Sequence, residues 1–203
     1  MTQQPTIFVV DDDARVRDSL RYLLESVSLP VETFGSAADF LRACGPHCHG
    51  CLILDIRMPD ISGLQLQDIM IERGCRLPII MLTGHGDVRT AVRAVQKGAA
   101  EFFEKPFNGQ ELLDRIQSVL AADAHRHREE SANAAIRKRI ESLTLRERDV
   151  LDWIVCGTSN KRIAAELGIS IKTVEVHRAR VMEKMGVKSV AELTALRITC
   201  GLY

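Results

Sequence analysis

Short apolar runs alternate with stretches of helical periodicity over the first 120 residues of the chain. The runs lie at residues 7–10, 31–34, 51–55, 79–82 and 101–104. Runs of this kind are typical of strands buried in a parallel sheet. The stretches between and after them repeat apolar residues every three or four positions, which is the spacing of one helix face. Five strands alternating with five helices predict a doubly wound α/β domain.

Polar side chains follow several of these runs at the point where each run ends. Asp11 and Asp12 follow the first, Asp55 ends the third, and Thr83 and Lys105 follow the fourth and fifth. The carboxyl ends of parallel strands share one edge of the sheet, so we expect these residues to lie together. Three carboxylates in one crevice repel one another, and a hard cation such as Mg²⁺ relieves this repulsion. With Lys105 and Thr83 beside it, Asp55 fits the role of a phosphoryl acceptor.

Asp55 has two other interpretations. A single Asp after a strand often only caps the turn that follows. Haloacid-dehalogenase-like phosphatases also place an Asp after a strand, but they need a second acid two residues later, and that position here is Arg57. Because this proton donor is missing, we expect Asp55 to accept a phosphoryl group stoichiometrically, and we expect that the chain is not an enzyme in the ordinary sense.

Composition favours two small domains with different charges. The 203 residues carry 27 basic and 27 acidic side chains, so the formal net charge is zero. This balance conceals a net charge of −4 over residues 1–122 and of +3 over residues 142–203. A basic tail suggests that any nucleic-acid contact lies there. Because no apolar run is long enough for a membrane span and the first five residues lack a signal-peptide pattern, we expect a cytoplasmic protein with no membrane partner.

Cysteines and histidines cluster between residues 44 and 51. The thiols of Cys44, Cys48 and Cys51 lie there with His47 and His49. Such a set can bind a soft metal or sense redox state, although Cys51 opens a predicted buried strand and is needed there for packing. In a cytoplasmic protein we expect all six cysteines to be thiols. A regulator driven by redox or metal through this cluster is the alternative.

The second half of the chain has helical patterns only. Residues 123–141 lack Gly and Pro and predict a solvated helical linker that continues the fifth helix. Thr144 and Glu147 form the capping-box pattern before a helix. Two further predicted helices, at residues 160–167 and 171–185, are separated by a tight turn that starts at Gly168. This is the helix-turn-helix pattern, so residues 142–203 predict a small all-α domain.

The second helix of that pattern has two distinct faces. Val174, Val181 and Met185 share a stripe that we expect to face the core. The opposite stripe includes Val176 and Ala179, and small apolar groups can meet thymine methyls in a major groove. The predicted DNA contacts, to bases or phosphates, are Lys161, Lys172, Thr173, Glu175, Val176, Arg178, Ala179, Arg180 and Lys184. A solvated helix bundle, or a tail that binds protein instead of DNA, is the alternative.

Residues 5–122 resemble the receiver domain of bacterial two-component response regulators. The matching positions are Asp11-Asp12, Asp55 with Met58-Pro59-Asp60 and Gly63, Thr83, and Lys105-Pro106. The resemblance implies that Asp55 accepts a phosphoryl group from a sensor histidine kinase. It also implies a Mg²⁺ cofactor that is bound directly by Asp12 and Asp55, through water by Asp11, and by the backbone carbonyl of Arg57.

The same resemblance implies a conformational switch. Thr83 would turn toward the phosphoryl group that Lys105 stabilises, and Phe102 would follow Thr83 inward. Many receivers have Tyr at the position of Phe102, so a hydroxyl signal is lost in this chain. The resemblance further implies a cis peptide bond between Lys105 and Pro106.

The tail resembles the LuxR-type helix-turn-helix domain from Leu143 to about Ile198. The matching residues are Leu143-Thr144, Arg146-Glu147, Asn160-Lys161, Ile163-Ala164, Leu167, Ser170, Thr173-Val174, Val176-His177 and Lys184-Met185. The whole chain is similar to the NarL/FixJ family of response regulators, closest to its FixJ branch. This implies a receiver at residues 5–122, a helical linker at 123–141 and a DNA-binding domain at 142–203. It also implies promoter DNA and RNA polymerase as partners, and a homodimer that forms on phosphorylation.

Overall fold

The computed structural model describes residues 4–45, 48–84 and 88–199 of the chain. The chain divides into two compact units, residues 1–125 and residues 126–203, which we call the N-terminal unit and the C-terminal unit. Within the described ranges, no helix is both long enough and apolar enough to cross a membrane.

A five-stranded parallel sheet forms the centre of the N-terminal unit. Its strands are β1 (Thr6–Val10), β2 (Val31–Phe34), β3 (Gly50–Asp55), β4 (Ile79–Thr83) and β5 (Glu101–Glu104). They lie in the order β2-β1-β3-β4-β5, with every neighbouring pair parallel. The helices are α1 (Ala14–Ser26), α2 (Ala37–Ala43), α3 (Gly63–Glu72), α4 (Val88–Gln96) and α5 (Gly109–Glu141). The predicted doubly wound fold is confirmed, and each strand lies within one residue of the expected run.

Helices cover both faces of the sheet because successive strand residues point to opposite sides. All six residues of β3 are buried. Leu52 and Leu54 belong to the core cluster that contains Phe40 of α2. Ile53 belongs to the opposite cluster, to which α1 and α5 contribute. Strand β3 therefore runs through the middle of the core, and Asp55 is its last residue.

The described part of the C-terminal unit, up to residue 199, contains helices and no strand. After α5 come α6 (Leu145–Val155), α7 (Asn160–Leu167), α8 (Ile171–Met185) and α9 (Val190–Thr199). Helices α7 and α8 have the bounds predicted for the helix-turn-helix pair. Gly168 between them has a φ of 65°, the left-handed conformation that glycine adopts without strain. Val174, Val181 and Met185 are buried, as predicted.

The segment predicted as a linker is helical, as the second half of α5. One face of its last turns is not solvated, however. Ile136 is buried and packs with Leu143 and Val150 in the core of the C-terminal unit, with Ile140 partly buried against the same cluster. The expectation of a solvated connector is wrong for these turns, because their apolar side chains complete a core that the four short helices form around them.

The cysteine cluster also differs from expectation. Cys44 and Cys48 are joined by a disulfide, with Cα atoms 5.9 Å apart, because the loop after α2 brings the two sulfur atoms together. Cys51 is buried in β3, as expected, and Cys75 and Cys156 are free. Burial raises the pKa of the Cys51 thiol far above its ordinary value, so this thiol stays protonated and unreactive. His47 lies outside the described residues.

Gly63 allows the start of α3 to approach the end of β3. Its N–H donates to the carbonyl oxygen of Ile56 at 3.0 Å. A Cβ atom on Gly63 would lie 2.3 Å from the backbone oxygen of Asp55. The turn that follows Asp55 therefore requires a residue without a side chain at this position.

We predict that Gly63→Ala destabilises the protein by roughly 1–3 kcal/mol, because the added methyl group forces the turn after Asp55 out of its conformation. The measurement is urea unfolding followed by far-UV circular dichroism. Gly35→Ala is the matched control, since a Cβ there would lie 3.6 Å from Arg17, an ordinary contact. Equal stability of the two variants would contradict the prediction.

Candidate functional site

Lys105 joins two of the predicted acidic residues at the carboxyl edge of the sheet. Its Nζ lies 2.6 Å from Asp11 Oδ2 and 2.5 Å from Asp55 Oδ1. Asp11 is 1% exposed and Asp55 is 6% exposed, so both carboxylates are largely removed from water. The parallel sheet therefore brings together, as predicted, three charged groups that are far apart in the sequence. The Lys105–Pro106 peptide bond is cis, as the resemblance implied.

Burial and charge have opposite effects on the titration of this site. Burial raises the pKa of Asp55 above its ordinary value, although the hydrogen bond from Lys105 acts against this shift. Burial alone would lower the pKa of Lys105, but its bonds to Asp11 and Asp55 outweigh that effect and raise it. Lys105 therefore stays charged at neutral pH, and its charge stabilises the ionised form of Asp55.

Two further groups hold the acidic turns in place. The backbone N–H of Arg57 donates to Asp55 Oδ2 at 2.7 Å. Arg17 Nη1 donates to the carbonyl oxygens of Asp11 and Asp12, at 2.7 Å and 3.0 Å. Sequence analysis missed Arg17. Its targets are backbone oxygens, which every residue has, so no residue pattern identifies this contact.

The donor set at this edge fits a hard divalent cation. Asp11, Asp12 and Asp55 supply carboxylate oxygens, and Mg²⁺ prefers oxygen ligands while keeping several waters. Asp12 is exposed, whereas Asp11 and Asp55 are buried, so the acidic group extends from the core to solvent. Lys105 compensates only part of this negative charge, which leaves the remainder for a cation.

The two predicted switch residues lie on the neighbouring strands β4 and β5. Thr83 is buried, and its hydroxyl donates to the carbonyl oxygen of Gly84 at 3.1 Å. Phe102 is 38% exposed, so its ring lies outside the core. Residues 85–87, which follow Thr83 and Gly84 in the chain and include His85, lie outside the described residues.

Helix α8 carries most of the predicted DNA contacts on its exposed face. Ser170 caps its start by accepting a hydrogen bond from the N–H of Thr173 at 3.1 Å. The exposed members of the predicted set are Lys161, Lys172, Thr173, Glu175, Val176, Ala179 and Arg180, and Arg178 is half-buried. Val176 is 45% exposed, and this apolar side chain lies with Ala179 among the polar residues of the stripe. Such a stripe suits a major groove, where thymine methyls lie beside polar base edges.

Lys184 differs from the other predicted contacts. Its Nζ lies 2.6 Å from Oε2 of Glu147, whose side chain is 3% exposed, and it donates to the carbonyl oxygen of Ser142 at 3.2 Å. The N–H of Thr144 donates to the same Glu147 oxygen. Lys184 therefore holds α8 to the start of α6, a role that sequence analysis missed because the pattern does not show the buried carboxylate. Its contact with DNA stays a prediction.

Two sequence families match the two parts of the chain. Residues 7–117 match the family described as response regulator receiver domain. Residues 141–196 match the family described as bacterial regulatory proteins, luxR family. The chain therefore belongs to the two-component response regulators and is a transcription regulator with a receiver domain and a LuxR-type DNA-binding domain.

Known relatives extend over nearly the whole chain. The protein is 48% identical to the transcriptional regulatory protein TdiR of Thauera aromatica, over 93% of this chain and 83% of that one. It is 45% identical to the transcriptional regulatory protein FixJ of Azorhizobium caulinodans, over 100% of this chain and 96% of that one. Among solved structures, the response regulator StyR matches with a TM-score of 0.89 and 46% identity, over 95% of this chain and 98% of that one. These relatives agree with the FixJ-like resemblance of the sequence.

The Glu147–Lys184 pair predicts acid sensitivity of the C-terminal unit. Hydrogen bonds from Lys184 and from the backbone of Thr144 lower the pKa of Glu147 from its ordinary 4.5 to about 2. The stabilisation is therefore complete above pH 4.5 and is lost as the pH falls toward 2. We predict this loss in urea unfolding followed by the fluorescence of Trp153, the only tryptophan of the chain, which lies in α6.

In Glu147→Gln, the loss between pH 4.5 and 2 should be much smaller, because the group that titrates is gone. At neutral pH this variant should be less stable than wild type by roughly 1–3 kcal/mol, since a charge-assisted hydrogen bond is lost. Asp149→Asn, a nearby change at an exposed carboxylate of α6, is the control. An unchanged pH dependence in Glu147→Gln would contradict the prediction.

Proposed function

We propose that Asp55 is the phosphoacceptor of this response regulator and that its phosphorylation controls DNA binding by α8. The observation that carries the proposal is the contact of one ammonium group, Lys105 Nζ, with both Asp55 and Asp11 in a buried site. The carboxyl edge of a parallel sheet is where ligands bind. Asp55 at this edge is therefore open to a ligand on one side, while Lys105 contacts it on the other.

The transfer needs few groups. A carboxylate oxygen of Asp55 attacks the phosphorus atom of a phosphohistidine on the sensor kinase whose other ring nitrogen carries a proton. The P–N bond breaks, its electron pair stays on the nitrogen, and neutral imidazole leaves. Lys105 then stabilises the charge of the transferred phosphoryl group, and the hydroxyl of Thr83 provides a hydrogen-bond donor. When bound, Mg²⁺ neutralises the phosphoryl oxygens, and Asp11, Asp12, Asp55 and the carbonyl of Arg57 would hold it.

Among the described residues, the position expected to hold a general acid does not provide one that would release the product rapidly. The position two residues after Asp55 is occupied by Arg57, which has no proton to donate as a general acid at neutral pH. We therefore propose that the protein acts as a stoichiometric acceptor with slow self-dephosphorylation and not as an enzyme. The phosphorylated state then lasts long enough to alter assembly and DNA binding.

The proposed output is a homodimer that binds promoter DNA and acts on RNA polymerase. A dimer with twofold symmetry would present two α8 helices to the two halves of a pseudo-palindromic site. The exposed ring of Phe102 on β5 gives the receiver an apolar group that can change position on phosphorylation, as proposed for the switch.

The first test is the intact mass of wild type and of Asp55→Asn after incubation with acetyl phosphate and Mg²⁺. We expect a gain of one phosphoryl group in wild type only, and no gain in wild type when EDTA removes the cation. Asp60→Asn is the control for an exposed carboxylate close in sequence to Asp55. A gain in Asp55→Asn equal to that of wild type would refute the assignment.

No gain in either protein would make the Cys44–Cys48 pair the next candidate for the input signal, since a disulfide can be reduced and re-formed. The double variant Cys44→Ser/Cys48→Ser tests this input. If its DNA binding still switches as in wild type, redox control through these cysteines is excluded as the required input.

The second test concerns the exposed stripe of α8. We predict that Val176→Asp weakens binding to a duplex selected by wild type from random sequences by about 10-fold or more, because it removes an apolar contact and adds a charge that DNA repels. Lys172→Gln should reduce the slope of log affinity against log salt by about one, as expected if it contacts a phosphate.

Glu166→Gln, which changes an exposed charge on α7, is the matched control for these variants. DNA affinity that hardly depends on salt in wild type would favour the alternative in which the tail binds protein. Binding by Val176→Asp equal to that of wild type would remove this stripe from the interface.

A further inference from the structure

The last turns of α5 are part of the C-terminal unit. Ile136 is 8% exposed and Leu143 is 4% exposed, and both pack in the core formed by α6, α7, α8 and α9. Ile136 and Arg139 come before residues 141–196, the segment that matches the luxR family. This chain therefore adds to the DNA-binding unit a structural element that the family match does not include.

Arg139, in these last turns, contacts the end of α8. Its Nη1 donates to the carbonyl oxygen of Met185, the last residue of α8, at 2.9 Å. The guanidinium lies against Gly186, where an added Cβ would be 3.1 Å from Nη1. The last carbonyls of a helix have no partner within the helix, and a cation at this end complements the helix dipole. Arg139 thus stabilises the C-terminus of α8 in two ways.

Other charged groups tie the same end of α8 to its neighbours. Lys184 bonds to Glu147 and to the carbonyl of Ser142, as described above. Arg148 of α6 donates to the carbonyl oxygen of Glu141, the last residue of α5, at 3.0 Å. The end of α5, the start of α6 and the end of α8 are therefore joined by charge-assisted hydrogen bonds that are stronger than neutral ones.

We infer that Arg139 is a positioning residue for DNA recognition: it fixes the direction of α8 from the end opposite to its cap at Ser170. This role rests on the proposed function, in which the exposed stripe of α8 enters the major groove. Contacts to base edges read the DNA sequence and require a defined direction and distance of the side chain. Attraction of basic side chains to phosphates does not depend on the DNA sequence. Loss of Arg139 is therefore expected to reduce sequence selectivity more than overall affinity.

The first arm of the test measures hydrogen–deuterium exchange in the full chain without DNA. In Arg139→Gln, the amides of the last turn of α8 and of Gly186 and Val187 should exchange about 2- to 5-fold faster, the factor that a cation at a helix C-terminus provides. Arg137→Gln removes the same charge from an exposed position of α5 and should leave exchange unchanged. Arg139→Lys, which keeps a cationic donor, should restore most of the protection.

The second arm measures the affinity of the phosphorylated full chain for two duplexes, one selected by wild type from random sequences and one with its base pairs shuffled. The ratio of the two affinities should fall about 3- to 10-fold in Arg139→Gln, within the range that one poorly placed base contact costs. The affinity for the shuffled duplex should fall no further than in Arg137→Gln.

Each result decides the inference. Faster exchange together with a lower affinity ratio supports it. Faster exchange with an unchanged ratio overturns the positioning role and leaves Arg139 as a helix cap, and unchanged exchange overturns the inference at its first step. If wild type selects no duplex from random sequences, the proposed function fails and the positioning role with it. Failure of the proposed function can be distinguished from failure of the inference, because the hydrogen–deuterium exchange measurement does not involve DNA.

Discussion

The receiver depends on one buried ion-pair arrangement, in which Lys105 lies between Asp11 and Asp55. Burial raises the pKa of the Asp55 carboxyl, and the neighbouring charge of Asp11 adds to this shift. The ammonium group of Lys105, at 2.5–2.6 Å from both carboxylates, opposes the shift and joins the two strand ends. The same arrangement requires parallel strands, because only these place the ends of β1, β3 and β5 at one edge of the sheet. The fold and the chemistry of the site are thus set by the same constraint.

The DNA-binding unit uses a similar device for a different purpose. Glu147 is buried like Asp55 and also pairs with a lysine, but its partner Lys184 lies on another helix and donates to the carbonyl oxygen of Ser142 as well. In the receiver, the buried carboxylate is supported and left open to a ligand. In the C-terminal unit, the buried carboxylate of Glu147 joins α6 to α8. Burial alone does not show whether a charged side chain belongs to a functional site or to a structural ion pair. The groups around the charge show which of the two it is.

Sequence reasoning was reliable where a pattern repeats or where chemistry depends on strand ends. The apolar runs predicted the five strands to within a residue, and the polar residues after them predicted the edge at which Asp11, Asp55 and Lys105 meet. It failed where a side chain contacts a group that no pattern in the sequence identifies. The thiols expected at Cys44 and Cys48 form a disulfide, and the solvated linker expected up to Glu141 has Ile136 in the core.

The sequence by itself determined the order of elements, the acidic site and the two faces of α8, because apolar periodicity and residue chemistry are local properties. Only the tertiary structure decided that Arg17 holds the acidic turn, that Lys184 pairs with Glu147, and that Arg139 caps α8. These contacts join residues from different elements, and two of them end on backbone carbonyls. A carbonyl oxygen is common to every residue, so its partner becomes visible only when the chain is folded.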